Sequence, residues 1–393
     1  MKILRRTTCQ ITGIISLSAA MFFFDGGQNL MSQELKFPTR WKNDFQDVRS
    51  LYRNDTVTIR FLGDVMMHQR QIDNAIKEDG TYDFDSYFRY IRDDLKSADI
   101  AVANMEFTLG GEPHTGYPAF SAPDGIAQYM AECGIDVFLT ANNHIFDKGK
   151  SGAGRTLEIY RNLLESHGVS FTGLAADEKE REWNHPLVRM ARGIRFAFVN
   201  MTYLTNGGRR DGWPKVCYLD DEQDISLAME DAERKGADIV IALPHWGEEY
   251  ELLPSEAQKQ KAEFLVRSGA DLIIGAHPHV IQPIWMTGNV QTAFSLGNAV
   301  SNMSAKNTRL ELMITARIVR EADGDIRILK LEPEFLWCSL PWHFAERYTV
   351  LPVRKFLGKR DLWINKADYD NMVTTYERVK NITGIEDKED EQR

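Results

Sequence analysis

The chain has 393 residues, a formal net charge of −10 and the composition of a globular protein, enough for one large domain or two ordinary ones. An acidic balance with no basic patch excludes a protein whose main task is gripping nucleic-acid phosphates or an anionic lipid surface. Four scattered cysteines, Cys9, Cys133, Cys217 and Cys338, form no C-x-x-C pair, which argues against a cysteine zinc site.

At the start, Lys2, Arg5 and Arg6 precede an apolar stretch from Ile11 to Phe24, the charge-then-apolar order of a secretory signal. The stretch is short for a membrane span, and Ser18-Ala19-Ala20 offers a small-x-small cleavage site. Residues 1–27 are therefore expected to direct export, as a removed signal or an uncleaved anchor. The mature protein is then periplasmic, extracellular or anchored facing outward. Removal of the signal leaves three cysteines, so at least one has no partner within the chain. Residues 28–55 are polar and aperiodic, a linker.

From residue 56 a periodic pattern begins. Runs rich in Val, Ile and Phe recur at 56–64, 98–106, 135–144, 194–202, 237–247 and 270–279, each followed by a polar cluster. They predict buried strands whose carboxyl ends emit functional side chains. Helical segments fall between several of them, at 151–168, 221–236 and 255–269, the last two stopped by Gly236 and Gly269. Alternation of this kind predicts an α/β layered fold. After residue 290 come successive strands, "VQTAFSLGNAV", "LELMITARIVR" and "DIRILKLEPEF", with "ADGD" (322–325) as a hairpin turn, and these predict a second sheet. The domain is placed at 56–335. Residues 336–393 form an extension packed on it, with a helix at 367–379, a structural His343 and a disordered acidic end, "EDKEDEQR".

The residues closing the strand-like runs are acids, amides and imidazoles: Asp64 with His68; Asn104 and Glu106; Asn142, Asn143, His144 and Asp147; His245; His277 and His279. Singly, each has a bland account. Gly63-Asp64 reads as a turn, Glu106 as a solvated acid, "NNH" as loop formers, and His245 as a satisfied core histidine. His277 and His279, at i and i+2 behind Gly275, face one side only if the backbone departs from a flat strand. Side chains past the carboxyl ends of neighbouring strands meet in one crevice. The set therefore predicts a metal centre. Its nitrogen and oxygen donors suffice for two divalent cations, with Mn, Fe or Zn suited to the mixture.

The clusters "GDVMMH" (63–68), "NMEFTL" (104–109), "ANNHIFDKG" (141–149), "PHWGEEY" (244–250), "GADLIIGAHPHVIQP" (269–283) and "FSLGN" (294–298) resemble, in this order, the CapA family of poly-γ-glutamate capsule synthesis proteins, a branch of the calcineurin-like metallophosphatase superfamily. The match runs from about Val57 to Val300. The resemblance implies a four-layer sandwich, two β-sheets flanked by helices, with a two-metal site at its mouth. It implies Asp64 as a first ligand, Glu106 in the bridging position, Asn143 as an amide-oxygen ligand, and His245, His277 and His279 as imidazole ligands. His68 is a further ligand candidate. His144 matches the histidine that assists the leaving group, and Asp147 is placed to orient it.

Three departures separate the chain from the general phosphatase pattern. Asp-x-His becomes Asp64 with His68 four positions on, the second Gly-Asp becomes Asn104-Met105-Glu106, and the glycine before the asparagine-histidine pair becomes Asn142. The implied function is a metal-dependent hydrolase acting on a phosphoester or an anionic polymer such as poly-γ-glutamate, alongside membrane-bound capsule synthesis partners. The alternatives are a non-catalytic binding or assembly component for an anionic polymer, and an amide hydrolase trimming γ-glutamyl links. Trp246, Tyr250, Phe120 and Pro123, with the loop 117–124, are candidates for the walls of the cleft.

Overall fold

A computed structural model describes residues 56–321 and 323–387; the expected export signal, the linker and residues 388–393 lie outside the described residues. Two large sheets carry the fold. In spatial order the first joins Thr349–Pro352, Glu332–Ser339, Leu310–Arg320, Thr56–Val65, Ile100–Met105, Val137–Leu139 and Ser170–Thr172, with Ile326–Ile328 paired to Leu310–Arg320. The second joins Ile281–Thr287, Val290–Leu296, Leu272–Ile274, Ile239–His245, Ile194–Thr202 and Leu187–Ala191. Within each sheet, the strands that lead to the polar clusters run parallel: Thr56–Val65 with Ile100–Met105 and Val137–Leu139, and Ile239–His245 with Leu272–Ile274.

Period-two alternation explains why both faces of these strands are apolar. In the first strand Val57, Ile59 and Phe61 point toward the second sheet, where Phe196, Phe198 and Ile241 meet them in one buried core. The alternate residues Ala197, Val199 and Met201 point outward, onto Ile225 and Met229 of helix Glu222–Arg234 and Leu265 of helix Glu256–Arg267. On the far side, helices Gly125–Glu132 and Gly149–His167 cover the first sheet with Ile126, Met130, Leu157 and Tyr160. The result is the expected four-layer order of helix, sheet, sheet and helix. The two helices of the second sheet stop ahead of Gly236 and Gly269, at φ +74° and +112°, a conformation that L side chains resist.

The strands after residue 290 do not make a sheet of their own. Val290–Leu296 joins the second sheet, whereas Leu310–Arg320 and Glu332–Ser339 extend the first. Only the hydrogen-bond register, which periodicity does not carry, decides between them. The hairpin turn falls as expected between Glu321 and Asp325, whose backbones bond at 2.8 Å. The "DIRILKLEPEF" run divides into Ile326–Ile328 and Glu332–Ser339.

Strand Glu332–Ser339 spans the expected domain boundary at 335, and helix Lys366–Thr383 sends Met372, Tyr376 and Val379 into the core between the sheets. Buried Asp368 gathers Arg309 at 2.6 Å and His343 at 3.0 Å, in keeping with a structural role for that histidine. The acidic end begins docked: Asp387 accepts from the Phe335 amide at 3.1 Å and the Tyr376 hydroxyl at 2.6 Å. Among the described residues no helix is long and apolar enough to cross a membrane. Cys133, Cys217 and Cys338 are buried and free.

Candidate metal centre

Gly63 sets the first donor. A Cβ there would stand 2.0 Å from the Gly297 carbonyl oxygen, so only glycine lets the strands approach, and the strand register slips between Leu62 and Asp64. The slip delivers Asp64, fully buried, to the strand mouth. Its Oδ1 accepts from Asn104 Nδ2 at 2.7 Å and its Oδ2 from the His277 amide at 3.2 Å. The Asn104 amide also lies 3.2 Å from His245 Nδ1.

Glu106 follows strand Ile100–Met105 and is likewise fully buried, not the solvated acid of the bland account. Neither of its carboxylate oxygens has a hydrogen-bond partner. His245 Nε2 and His279 Nε2 each stand 3.7 Å from its Oε1, and His279 Nδ1 stands 3.4 Å from Asp64 Oδ2. Burial, reinforced by the neighbouring Asp64 charge, pushes the Glu106 carboxyl well above its ordinary range.

Asn143 leaves strand Val137–Leu139 through a short loop, with its Oδ1 2.9 Å from His245 Nε2. His277 Nδ1 lies 3.1 Å from the same His245 nitrogen. His277 and His279 adopt φ +100° and +58°, the local departure from a flat strand that their spacing demands. Burial holds His245 well below the usual imidazole range and His277 down to about 3, so both rings are neutral, the form that ligates. Asp64, Glu106 and Asn143 thus hang from the first sheet, and His245, His277 and His279 from the second. Two donor groups result, Asp64–Glu106–His245 and Glu106–His277–His279, each with its ligand atoms within 4.8 Å of one another. A shared acid with both oxygens unpartnered fits a cation far better than a hydrogen-bonded core.

His144 Nδ1 lies 2.7 Å from Asp147 Oδ2, which also accepts the Phe120 amide at 2.7 Å. The Phe120 ring meets His144 edge to face at 4.6 Å. His68 belongs to neither donor group but borders them, its ring 5.3 Å from Phe120 and near enough to His279 and His144 to feel their charge. Its Nδ1 takes the Asn302 amide at 3.3 Å and lies 3.2 Å from Gln71 Oε1 at the start of helix Gln69–Ala75, and burial lowers its pKa to about 4. Of the candidate wall residues, Phe120 touches the site and Tyr250 stands half-exposed with its ring 6.4 Å from His279, whereas Trp246 is buried against Phe294.

Three contributors have no strong sequence signal. Tyr203 places its hydroxyl 3.0 Å from His277 Nε2, Asn206 its amide 3.1 Å from His144 Nδ1, and Asn298 its Oδ1 2.9 Å from His279 Nδ1. Asn298 closes the quoted "FSLGN" cluster, a signal available but not converted into a role.

Helix, sheet, sheet and helix together gather these donors at the strand ends. Residues 58–303 match the family model described as "Bacterial capsule synthesis protein PGA_cap", and the chain belongs to that family. It is 26% identical to "PGA biosynthesis protein CapA" of Bacillus subtilis (strain 168) over 293 residues, 72% of this chain and 73% of the relative. To "Capsule biosynthesis protein CapA" of Bacillus anthracis it is 28% identical over 292 residues, 71% and 67% of the two chains. Among solved structures, a 5'-nucleotidase precursor from Thermus thermophilus aligns at TM-score 0.42 and 13% identity, over 82% of this chain and 59% of the nucleotidase. The calcineurin-like phosphoesterase YfkN from Bacillus subtilis aligns at TM-score 0.42 and 12% identity, over 85% of this chain and 100% of YfkN.

Proposed function

We propose that the protein is an exported component of capsule biosynthesis that works as a metal-dependent hydrolase on a phosphoester or on a γ-glutamyl bond of an anionic polymer. The observation that carries the proposal is the buried, doubly unpartnered carboxylate of Glu106 between Asp64, His245 and His279. Asp64, Glu106, Asn143, His245, His277 and His279 would hold two divalent ions of the Mn, Fe or Zn class. When bound, such ions lower the pKa of water and stabilise charge on an attacked oxygen. Asp147 orients the His144 ring through Nδ1, leaving Nε2 to give a proton to the departing group. Outward placement rests on the charge-then-apolar start of the chain, and secreted substrate and membrane-bound partners follow from it.

One observation favours a non-catalytic polymer-binding role. Asn104 donates its amide to Asp64 Oδ1 at 2.7 Å, so one oxygen of that carboxylate is already hydrogen-bonded and offers less to a cation. The purified full-length protein should be assayed for metal content. Turnover is then followed on p-nitrophenyl phosphate, bis(p-nitrophenyl) phosphate and γ-glutamyl peptides, with and without chelator. Bound metal with chelator-sensitive turnover supports the hydrolase. Bound metal without turnover on any of the three selects the binding role, and absence of metal refutes the hydrolase. Cell fractionation tests export, and retention in the cytosol refutes it.

A further inference from the structure

A second cluster of ligating side chains lies apart from the first and shares no residue with it. His185 caps helix Glu178–Asn184, Cys217 follows the short strand Lys215–Val216, and Asp224 stands in the first turn of helix Glu222–Arg234. One donor atom from each lies within 4.8 Å of the other two. All three border a cavity of about 350 Å³ that Arg181 and Arg210 also line.

Ordinary packing accounts for part of this cluster. Arg181 pairs with Asp224 Oδ1, and the Cys217 thiol reaches the same carboxylate. Packing does not account for His185, which is 6% exposed yet has no hydrogen-bond partner at either ring nitrogen. An imidazole, a thiol and a carboxylate oxygen not taken by the arginine make a mixed nitrogen, sulfur and oxygen set. That set suits a borderline-soft divalent ion and disfavours Mg²⁺ or Ca²⁺, which prefer oxygen alone.

We propose that His185, Cys217 and Asp224 form a second cation site, of the zinc class, with its fourth position open to the cavity. Binding requires the thiolate and therefore displaces the Cys217 proton. The ion would tie together three segments that flank the stretch carrying Tyr203 and Asn206, the two residues that reach His277 and His144. Cys217 is already stitched to this stretch, since its carbonyl accepts the Thr202 amide at 3.0 Å.

Cobalt(II) titration of the reduced, metal-stripped full-length protein tests the site. A thiolate ligand gives a near-ultraviolet sulfur-to-cobalt charge-transfer band, whereas the first centre holds no sulfur and gives none. The wild-type protein should develop the band and the Cys217→Ser variant should lose it, along with one equivalent of bound metal. Asp224→Asn should weaken cobalt binding at this site about 10–100-fold, and Glu106→Gln, which strikes the first centre, should leave the band intact. Absence of the band in reduced wild-type protein overturns the proposal. So does its survival in Cys217→Ser, which would trace the sulfur to another cysteine.

Discussion

The charge on Glu106 can be tested by Glu106→Gln, which keeps the shape and removes the ionisation. In chelator, burial and the neighbouring Asp64 charge disfavour the ionised Glu106 in the folded protein, and neither of its oxygens has a hydrogen-bond partner. A buried carboxyl without a compensating partner costs a fold roughly 3–5 kcal/mol. A glutamine there still leaves its buried carbonyl oxygen unpartnered, which returns about 1–3 kcal/mol of that gain. The variant should therefore be more stable than wild type in chelator by about 1–3 kcal/mol. For a described fold of roughly 330 residues this is a rise of roughly 1.5–4 °C in Tm. Saturating Mn²⁺ or Zn²⁺ should reverse the order, since a ligand at a thousandfold its Kd stabilises wild type by about 4.1 kcal/mol, more than the variant gains. Scanning calorimetry under both conditions reads the effect. A variant that melts below wild type in chelator, or one that gains as much from the cation, would refute the reasoning.

Replacing His144 by Ala should lower turnover about 10²–10⁴-fold with metal content unchanged, and Asp147→Asn should lower it less, about 10–100-fold, by freeing the ring; steady-state kinetics beside metal analysis distinguishes these from ligand loss. In chelator, stability should fall as pH drops from 6.5 toward 4. Over that window the unfolded chain takes protons that His68 and His185, depressed to about 4, His277, depressed to about 3, and His245, held well below the usual imidazole range, refuse when folded. Each contributes about 1.4 kcal/mol per pH unit, opposed by Glu106 and Glu311, whose raised carboxyl pKa values act in the other direction above 4.5. Urea midpoints of His68→Asn across this range should show a slope flatter by one histidine, and an unchanged slope counts against the assignment. Gly63→Ala should cost about 3 kcal/mol or more through its clash with the Gly297 carbonyl, measured by urea unfolding.

The strands are legible because apolar runs end where they do for a physical reason. The 194–202 and 310–320 segments coincide with their strands, since both faces of each are covered and apolar periodicity is uninterrupted. The short strand Val137–Leu139 reads too long, because the buried loop that follows it is as free of charge as a strand. The donor residues can be named because each closes such a run. His68 carries the same signal, and what linear spacing hides is that its Nδ1 is engaged at a helix start with Gln71 and Asn302 while its ring stays near His279 and His144. Tyr203 and Asn206 escape notice because a lone tyrosine or asparagine in a polar loop has no pattern. The absence of a C-x-x-C pair says nothing about Cys217, whose neighbours His185 and Asp224 come from separate elements.

Half of the donor cage hangs from each sheet, so neither layer holds a binding site alone. The aromatic and aliphatic filling between the layers, Phe61 against Phe198 among others, acts as a spacer that sets the gap across which the acids face the imidazoles. For ions held as proposed, the radius that fits would be set by apolar side chains that never touch them, and metal preference could shift through the core while every donor stays the same.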